Sequence, residues 1–183
     1  MQTTSENLVV VTRDNESSDN LDVLVGRKKR GRFAGYDIFP GGKADGTELQ
    51  PVAAARELGE ETGIWVAPET LRSLGGLLIQ DYRPGKERFG NVALYVTHVS
   101  PDIEAVETDE LEPLWRPIDQ PGFAENMPPD ICLWWPMAQS FNYEPLTTHI
   151  IYDEQGNTEM ITKRPNFAHD MGRTIISGYH WSR

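Results

Sequence analysis

Residues 42–64 read GKADGTELQPVAAARELGEETGI, and the rest of the chain is organised around them. Pro40, Gly41, Gly42 and Gly46 make a glycine-rich loop that leads into a helix. Thr47 or Asp45 can cap the helix start, Pro51 suits its first turn, and Gly63 stops it. Ala53, Ala54 and Ala55 are the best helix formers available. Glu57, Glu60 and Glu61 then stand at i, i+3 and i+4, so their carboxylates share one helical face. Like charges at that spacing repel. The face therefore reads either as a solvated acidic surface or as a seat for a hard divalent cation. Mg2+ takes oxygen ligands in near-octahedral geometry and draws some of them from substrate phosphates.

The same stretch satisfies G-x5-E-x7-R-E-U-x-E-E-x-G-U, with U a bulky apolar residue. Gly42, Glu48, Arg56, Glu57, Leu58, Glu60, Glu61, Gly63 and Ile64 fill every fixed position. That pattern is the Nudix box, and the chain resembles the Nudix hydrolases. The resemblance implies an α/β/α sandwich around a mixed β-sheet. It implies Mg2+, or Mn2+ in its place, held by Glu57, Glu60 and Glu61 with the backbone carbonyl of Gly42. It implies a catalytic set of Glu60, Glu110 and Arg56, with Glu60 or Glu110 as base or water-orienting group. Arg56 and Glu48 are expected to pair and hold loop and helix in register. Gly59, inside the helix, costs about 1 kcal/mol relative to alanine; it reads either as a close-packing position or as a slot of no consequence.

Beyond the box the chain is similar to the MutT-like branch, of mammalian type, that removes oxidised purine nucleoside triphosphates. Residues 26–43 line up with that branch without a gap, and residues 106–111 resemble the segment that supplies a further acidic residue, here Glu110. Residues 119–120 and 127–130, with Trp134 and Pro136, resemble the base-recognition segment. On that resemblance Asp130 hydrogen-bonds the purine edge and Trp134 helps form the base pocket, with Lys43, Phe33 and Ile38 also against substrate. Three positions depart from the branch: Ile131 stands where a second aspartate is paired with the first, Pro128 replaces an aromatic, and Ile38 replaces a base-reading asparagine. A pocket that loses polar partners loses discrimination between close analogues. The catalytic core carries over; the choice of base does not.

With 183 residues, one domain over residues 1–183 is expected. Charged residues make up 25% and hydrophobic residues 38%, a globular balance. The net charge of -11 argues against binding a nucleic-acid backbone. A small nucleotide remains compatible if metal ions carry its phosphates. Cys132 is the single cysteine, so no internal disulfide forms and a reducing, cytoplasmic setting is expected. The polar, acidic start lacks a signal-peptide pattern, and no apolar run reaches membrane-spanning length.

Along the chain, strands are expected at residues 8–12, 21–25, 64–66, 74–79, 91–99, 114–118, 147–152 and 158–162, with a second helix near 130–140. Polar turns are expected at 14–20 and 154–157, and residues 165–183 show no period. Trp134 and Trp135 also read as plain core. Arg27, Lys28, Lys29, Arg30 and Arg32 form the main basic cluster, which reads either as a solvated loop or as a phosphate-contacting rim. Three functions follow: a purine nucleoside triphosphate diphosphatase, a pyrophosphatase for ADP-ribose or dinucleoside polyphosphates, and a regulator that binds a nucleotide without cutting it. The intact glutamate set argues against the last.

Overall fold

A computed structural model of the chain describes residues 2–16, 20–140, 144–155, 157–163 and 172–176. In order, the elements are β1 (Gln2–Asp14), β2 (Leu21–Lys28), β3 (Asp37–Ile38), α1 (Gln50–Thr62), β4 (Arg72–Asp81), β5 (Arg88–His98), β6 (Leu111–Pro117), α2 (Pro129–Ser140), β7 (Leu146–Tyr152), β8 (Thr158–Lys163) and β9 (Gly172–Ile176). Among the described residues the strands form one mixed sheet in the order β3-β2-β1-β5-β4-β7-β8-β9, with β6 paired to β2. β1 runs parallel to β5 and β4 parallel to β7; the other pairs are antiparallel.

Alternation along the strands sends side chains to two cores. Val9, Val11 and Leu24 meet Ala54 and Leu58 of α1, with Ile64 and Tyr95. Val10, Val23 and Val25 face the other way, where Trp134, Trp135 and Ala138 of α2 pack with Leu77, Ile79 and Leu94. The result is the expected α/β/α sandwich, with α1 and α2 on opposite faces. No helix among the described residues is long and apolar enough to cross a membrane.

Several expectations are corrected. Neither Thr47 nor Asp45 caps α1; Leu49 occupies the N-cap with no side-chain cap bond, and Pro51 stands in the first turn, where it needs no N–H partner. Residues 64–66 are not a strand. Gly63 turns left-handed at φ 74° and gives its N–H to the Gly59 carbonyl, after which Ile64 drops into the α1 core and the chain enters a 3-10 turn at Pro68–Thr70. The aperiodic tail contains β9, antiparallel to β8. Residues 17–19 of the first expected turn, Gly156 of the second, and residues 165–171 and 177–183 lie outside the described residues. Gly59 is a close-packing position: a Cβ there would meet the Trp65 ring at 2.3 Å.

The register between β4 and β5 shifts between Ser73 and Gly75. Gly75 sits at φ +95°, and a Cβ there would fall 1.9 Å from the Leu146 carbonyl oxygen. Gly75→Ala is therefore expected to combine backbone strain with a backbone clash, lowering stability by about 3 kcal/mol or more. The midpoint of urea unfolding checks it; an unshifted midpoint contradicts the packing.

Candidate functional site

The loop before α1 is held between the helix and β1. Asn7 N–H donates to the Gly42 carbonyl and Val9 N–H to the Pro40 carbonyl, both at 2.8 Å. Gly41 N–H donates to Glu61 Oε2 at 2.9 Å. A Cβ on Gly41 would lie 2.1 Å from the Asn7 carbonyl, and one on Gly42 would lie 2.4 Å from the Glu57 carboxyl carbon. Glycine at both positions is what lets the loop backbone lie against the helix carboxylates.

On α1, Arg56 is the hub of the exposed part of the cluster. Its Nη2 donates to Glu48 Oε2 at 3.0 Å and to the Lys43 carbonyl at 3.0 Å, and its Nη1 to Glu57 Oε1 at 3.1 Å and Glu60 Oε2 at 2.9 Å. The Arg56–Glu48 pair anticipated from the box is thus present, and the guanidinium spans two of the three helix glutamates as well. Glu61 lies deeper, at 5% exposure, with Lys28 Nζ at 3.4 Å. Lys28 also reaches Glu110 Oε2 at 3.7 Å, and Glu110 Oε1 accepts from Arg30 at 2.7 Å. So Glu110, nearly fifty residues further along, comes to the same end of the site as Glu61.

Burial raises the Glu61 carboxyl above its ordinary range, against the opposing pull of Gly41 N–H and Lys28. Burial likewise raises Glu57, against Arg56. Arg56 holds Glu48 below its usual range, and Arg30 does the same to Glu110. Among the described residues no three Asp, Glu, His or Cys side chains already converge as a metal cluster. Arg56 spans Glu57 and Glu60, and Lys28 engages Glu61. The donor set nonetheless fits a hard cation: three carboxylates on one face, two of them desolvated beyond what their partners compensate, beside the loop glycine Gly42, whose carbonyl accepts from Asn7 N–H and keeps a second lone pair.

The basic cluster belongs largely to the protein's own acids. Arg27 pairs with Asp37, Lys28 with Glu61 and Glu110, Lys29 with Glu107, and Arg30 with Glu110. Of these four, Lys28 also lines the cavity that opens at the glycine loop. Arg32 is different. It stacks on Phe33, 4.5 Å from the ring centre, and burial followed by the nearby Arg88 lowers its pKa.

A cavity of about 340 Å³ opens from the glycine loop. Lys43, Phe33, Ile38 and Asp130 all line it with Gly41 and Gly42, and Leu8, Phe39, Leu77, Ile79, Val92 and Ile131 make its apolar wall. Phe33 takes φ +66°, an uncommon backbone state outside glycine. Trp134 does not line this cavity. It is 1% exposed in the α2 core against Trp135, as the plain-core reading of the two tryptophans has it. Asp130 is engaged on both oxygens: Arg88 Nη2 donates to Oδ2 at 2.8 Å and the Tyr152 hydroxyl to Oδ1 at 2.7 Å. Arg88 and Tyr152 were not legible as site residues; they sit at a strand start and a strand end, and nothing in their neighbourhoods marks them. Arg32 belongs to the basic cluster already read as either a solvated loop or a phosphate rim.

The profile of the NUDIX domain matches residues 5–131. An oxidized purine nucleoside triphosphate hydrolase of Danio rerio is 36% identical over 119 residues, covering 63% of this chain and 70% of that protein. Among solved structures, the MutT protein of Bacillus halodurans superposes with TM-score 0.61 at 18% identity, over 93% of this chain and 96% of its own. The NUDIX domain of Shewanella oneidensis NrtR, solved with ADP ribose, gives TM-score 0.60 at 16% identity, over 78% and 89%.

Because Glu48 is held below its usual range by Arg56, its contribution to stability is present above its unfolded pKa and is lost as pH falls through the lower folded value. Arg56→Met is therefore expected to lower the melting temperature at pH 7 and to lose less on acidification than the wild type does. Thermal melts of both proteins from pH 7 to pH 3 check this. Parallel curves would mean that the Arg56–Glu48 pair does not stabilise the fold.

Proposed function

The chain belongs to the Nudix hydrolase family, and we propose that it hydrolyses a purine nucleoside triphosphate to the monophosphate and pyrophosphate. The observation that carries this reading is the junction at Gly41 and Gly42. There the carboxylate face of α1 meets an apolar, base-sized cavity that ends at Asp130. A substrate with a flat base at one end and a phosphate chain at the other matches that layout. The Danio rerio relative acts, by its description, on oxidised purine nucleoside triphosphates.

Glu57, Glu60, Glu61 and the Gly42 carbonyl would hold the divalent ion, Mg2+ in this reading. When bound, such an ion neutralises charge on the diphosphate and makes water a better nucleophile. The chain's own residues supply the rest. Arg56, tied to Glu48 and to the Lys43 carbonyl, keeps the loop and the helix face in register. In this reading Lys43, which lines the cavity, meets a phosphate oxygen. Glu60 and Glu110 are the groups able to take a proton from the attacking water: Glu60 is the more exposed helix carboxylate, and Glu110 stands across from Glu61 through Lys28. The water oxygen bonds to phosphorus in line with the departing oxygen, the P–O bond to that oxygen breaks, and pyrophosphate leaves.

A second reading has its own observation. An adjoining cavity of about 620 Å³ shares Arg32, Phe33 and Arg88 with the first and adds Arg83 and Lys86. It could take the further moiety of ADP-ribose or of a dinucleoside polyphosphate. A product assay separates the two: ordinary and oxidised purine triphosphates, ADP-ribose and dinucleoside polyphosphates, each with and without Mg2+. Metal-dependent release of monophosphate and pyrophosphate from a triphosphate is the expected result; turnover of the two-moiety substrates alone would transfer the function to the second reading. With the preferred substrate, Glu61→Gln is expected to lower kcat by about a hundredfold or more while the melting temperature holds. Near-normal turnover in that variant would remove Glu61 from the metal set.

A further inference from the structure

The wall of the inner cavity carries a polar group that the scheme above leaves idle. Arg88 opens β5, where its backbone pairs with Asp81 of β4 on one side and Gln2 of β1 on the other. Strand pairing on both sides thus fixes where the side chain starts. Arg88 is 8% exposed and lines both cavities. Its Nη2 is committed to Asp130, but its Nε is buried with no hydrogen-bond partner. An unmet buried donor is rare in a folded protein and needs an explanation.

Resting on the nucleotide reading above, we propose that Arg88 is a specificity-determining residue: its guanidinium donates to an exocyclic carbonyl oxygen on the base, so that the site prefers 6-oxopurines to 6-aminopurines. Arginine has five donors and no acceptor. Arg32 lines the same cavity, so two guanidiniums stand there and present only N–H groups. A carbonyl oxygen accepts from them; an exocyclic amine in the same place sets N–H against N–H. Asp130 completes the match. Each of its oxygens receives one hydrogen bond, from Arg88 and from Tyr152, which leaves lone pairs for the ring N–H beside the carbonyl. The lactam edge of a 6-oxopurine offers that acceptor and donor side by side. Ile38 and Ile131, in the same wall, offer no hydrogen bond. This ion pair, Arg88 with Asp130, is the polar reader at that end of the cavity.

Inosine and adenosine monophosphates test the idea, because their bases differ only in the 6-oxo, N1–H edge against the 6-amino, N1 edge. Equilibrium binding of each, measured by calorimetry without metal, is expected to favour inosine monophosphate by about tenfold or more, since a site built to hydrogen-bond one group rejects the analogue lacking it. Equal affinity, or tighter adenosine monophosphate, overturns the proposal with the wild-type protein alone. Arg88→Lys keeps a cation for Asp130 but loses the fork of donors, and Arg88→Gln is the second variant should the first not fold. In a folded variant the ratio of the two affinities is expected to collapse toward one. A ratio that survives, with both ligands weakened equally, would make Arg88 a structural residue. Selective binding without hydrolysis of any triphosphate would sink the diphosphatase reading and leave the role of Arg88 standing.

Discussion

Everything at this site depends on how closely the backbone at Gly41 and Gly42 approaches its neighbours. Gly41 has the Asn7 carbonyl where a Cβ would go, and Gly42 has the Glu57 carboxylate. Two hydrogen bonds to β1 and one to Glu61 then fasten the loop on both sides. A loop so placed gives the Gly41 N–H to the carboxylate face and its Pro40 and Gly42 carbonyls to β1, while Gly41 and Gly42 also line the apolar cavity. The helix, the first strand and the base-sized cavity are thereby referred to one short piece of chain. A side chain at either glycine would move all three relative to one another.

Charge is arranged around that point with the same economy. The chain carries an excess of acids, and its few cations are spent on them near the site: Arg56 on Glu48, Glu57 and Glu60, Lys28 on Glu61 and Glu110, Arg30 on Glu110. These partners reduce the repulsion that three glutamates on one face would otherwise exert on α1. At Glu57 and Glu61 the partners do not offset a separate cost: burial still raises the carboxyl pKa. The helix therefore folds with its acids tethered to arginine and lysine rather than left bare. Arg32 and Arg88 serve a different end of the cavity, against Phe33 and Asp130.

The fold was legible wherever the signal was local. Alternation marked most of the strands, since each must send every second side chain into one of two cores, and the 3.6-residue spacing marked α1. Residues 64–66 were misleading because an apolar run after a left-handed Gly63 fills a core without pairing with a strand. The start of α1 was misleading because the helix begins at Gln50 behind Leu49, two residues past Thr47, so neither Thr47 nor Asp45 stands at the N-cap.

What the sequence determined by itself was the glycine loop, the helix and the shared face of Glu57, Glu60 and Glu61, because helical periodicity alone puts i, i+3 and i+4 together. The pairing of Arg56 with Glu48, which lies outside α1, was expected from the box resemblance and is made by the fold of the loop against the helix. Only the tertiary structure decided which cations meet which acids, that Trp134 goes to the core, and that Arg88 and Tyr152 converge on Asp130. Those three residues come from a strand start, a strand end and a helix start, separated by 42 and 22 positions. Their meeting is a consequence of sheet order and of the α2 packing, and neither leaves a mark on the residues around them.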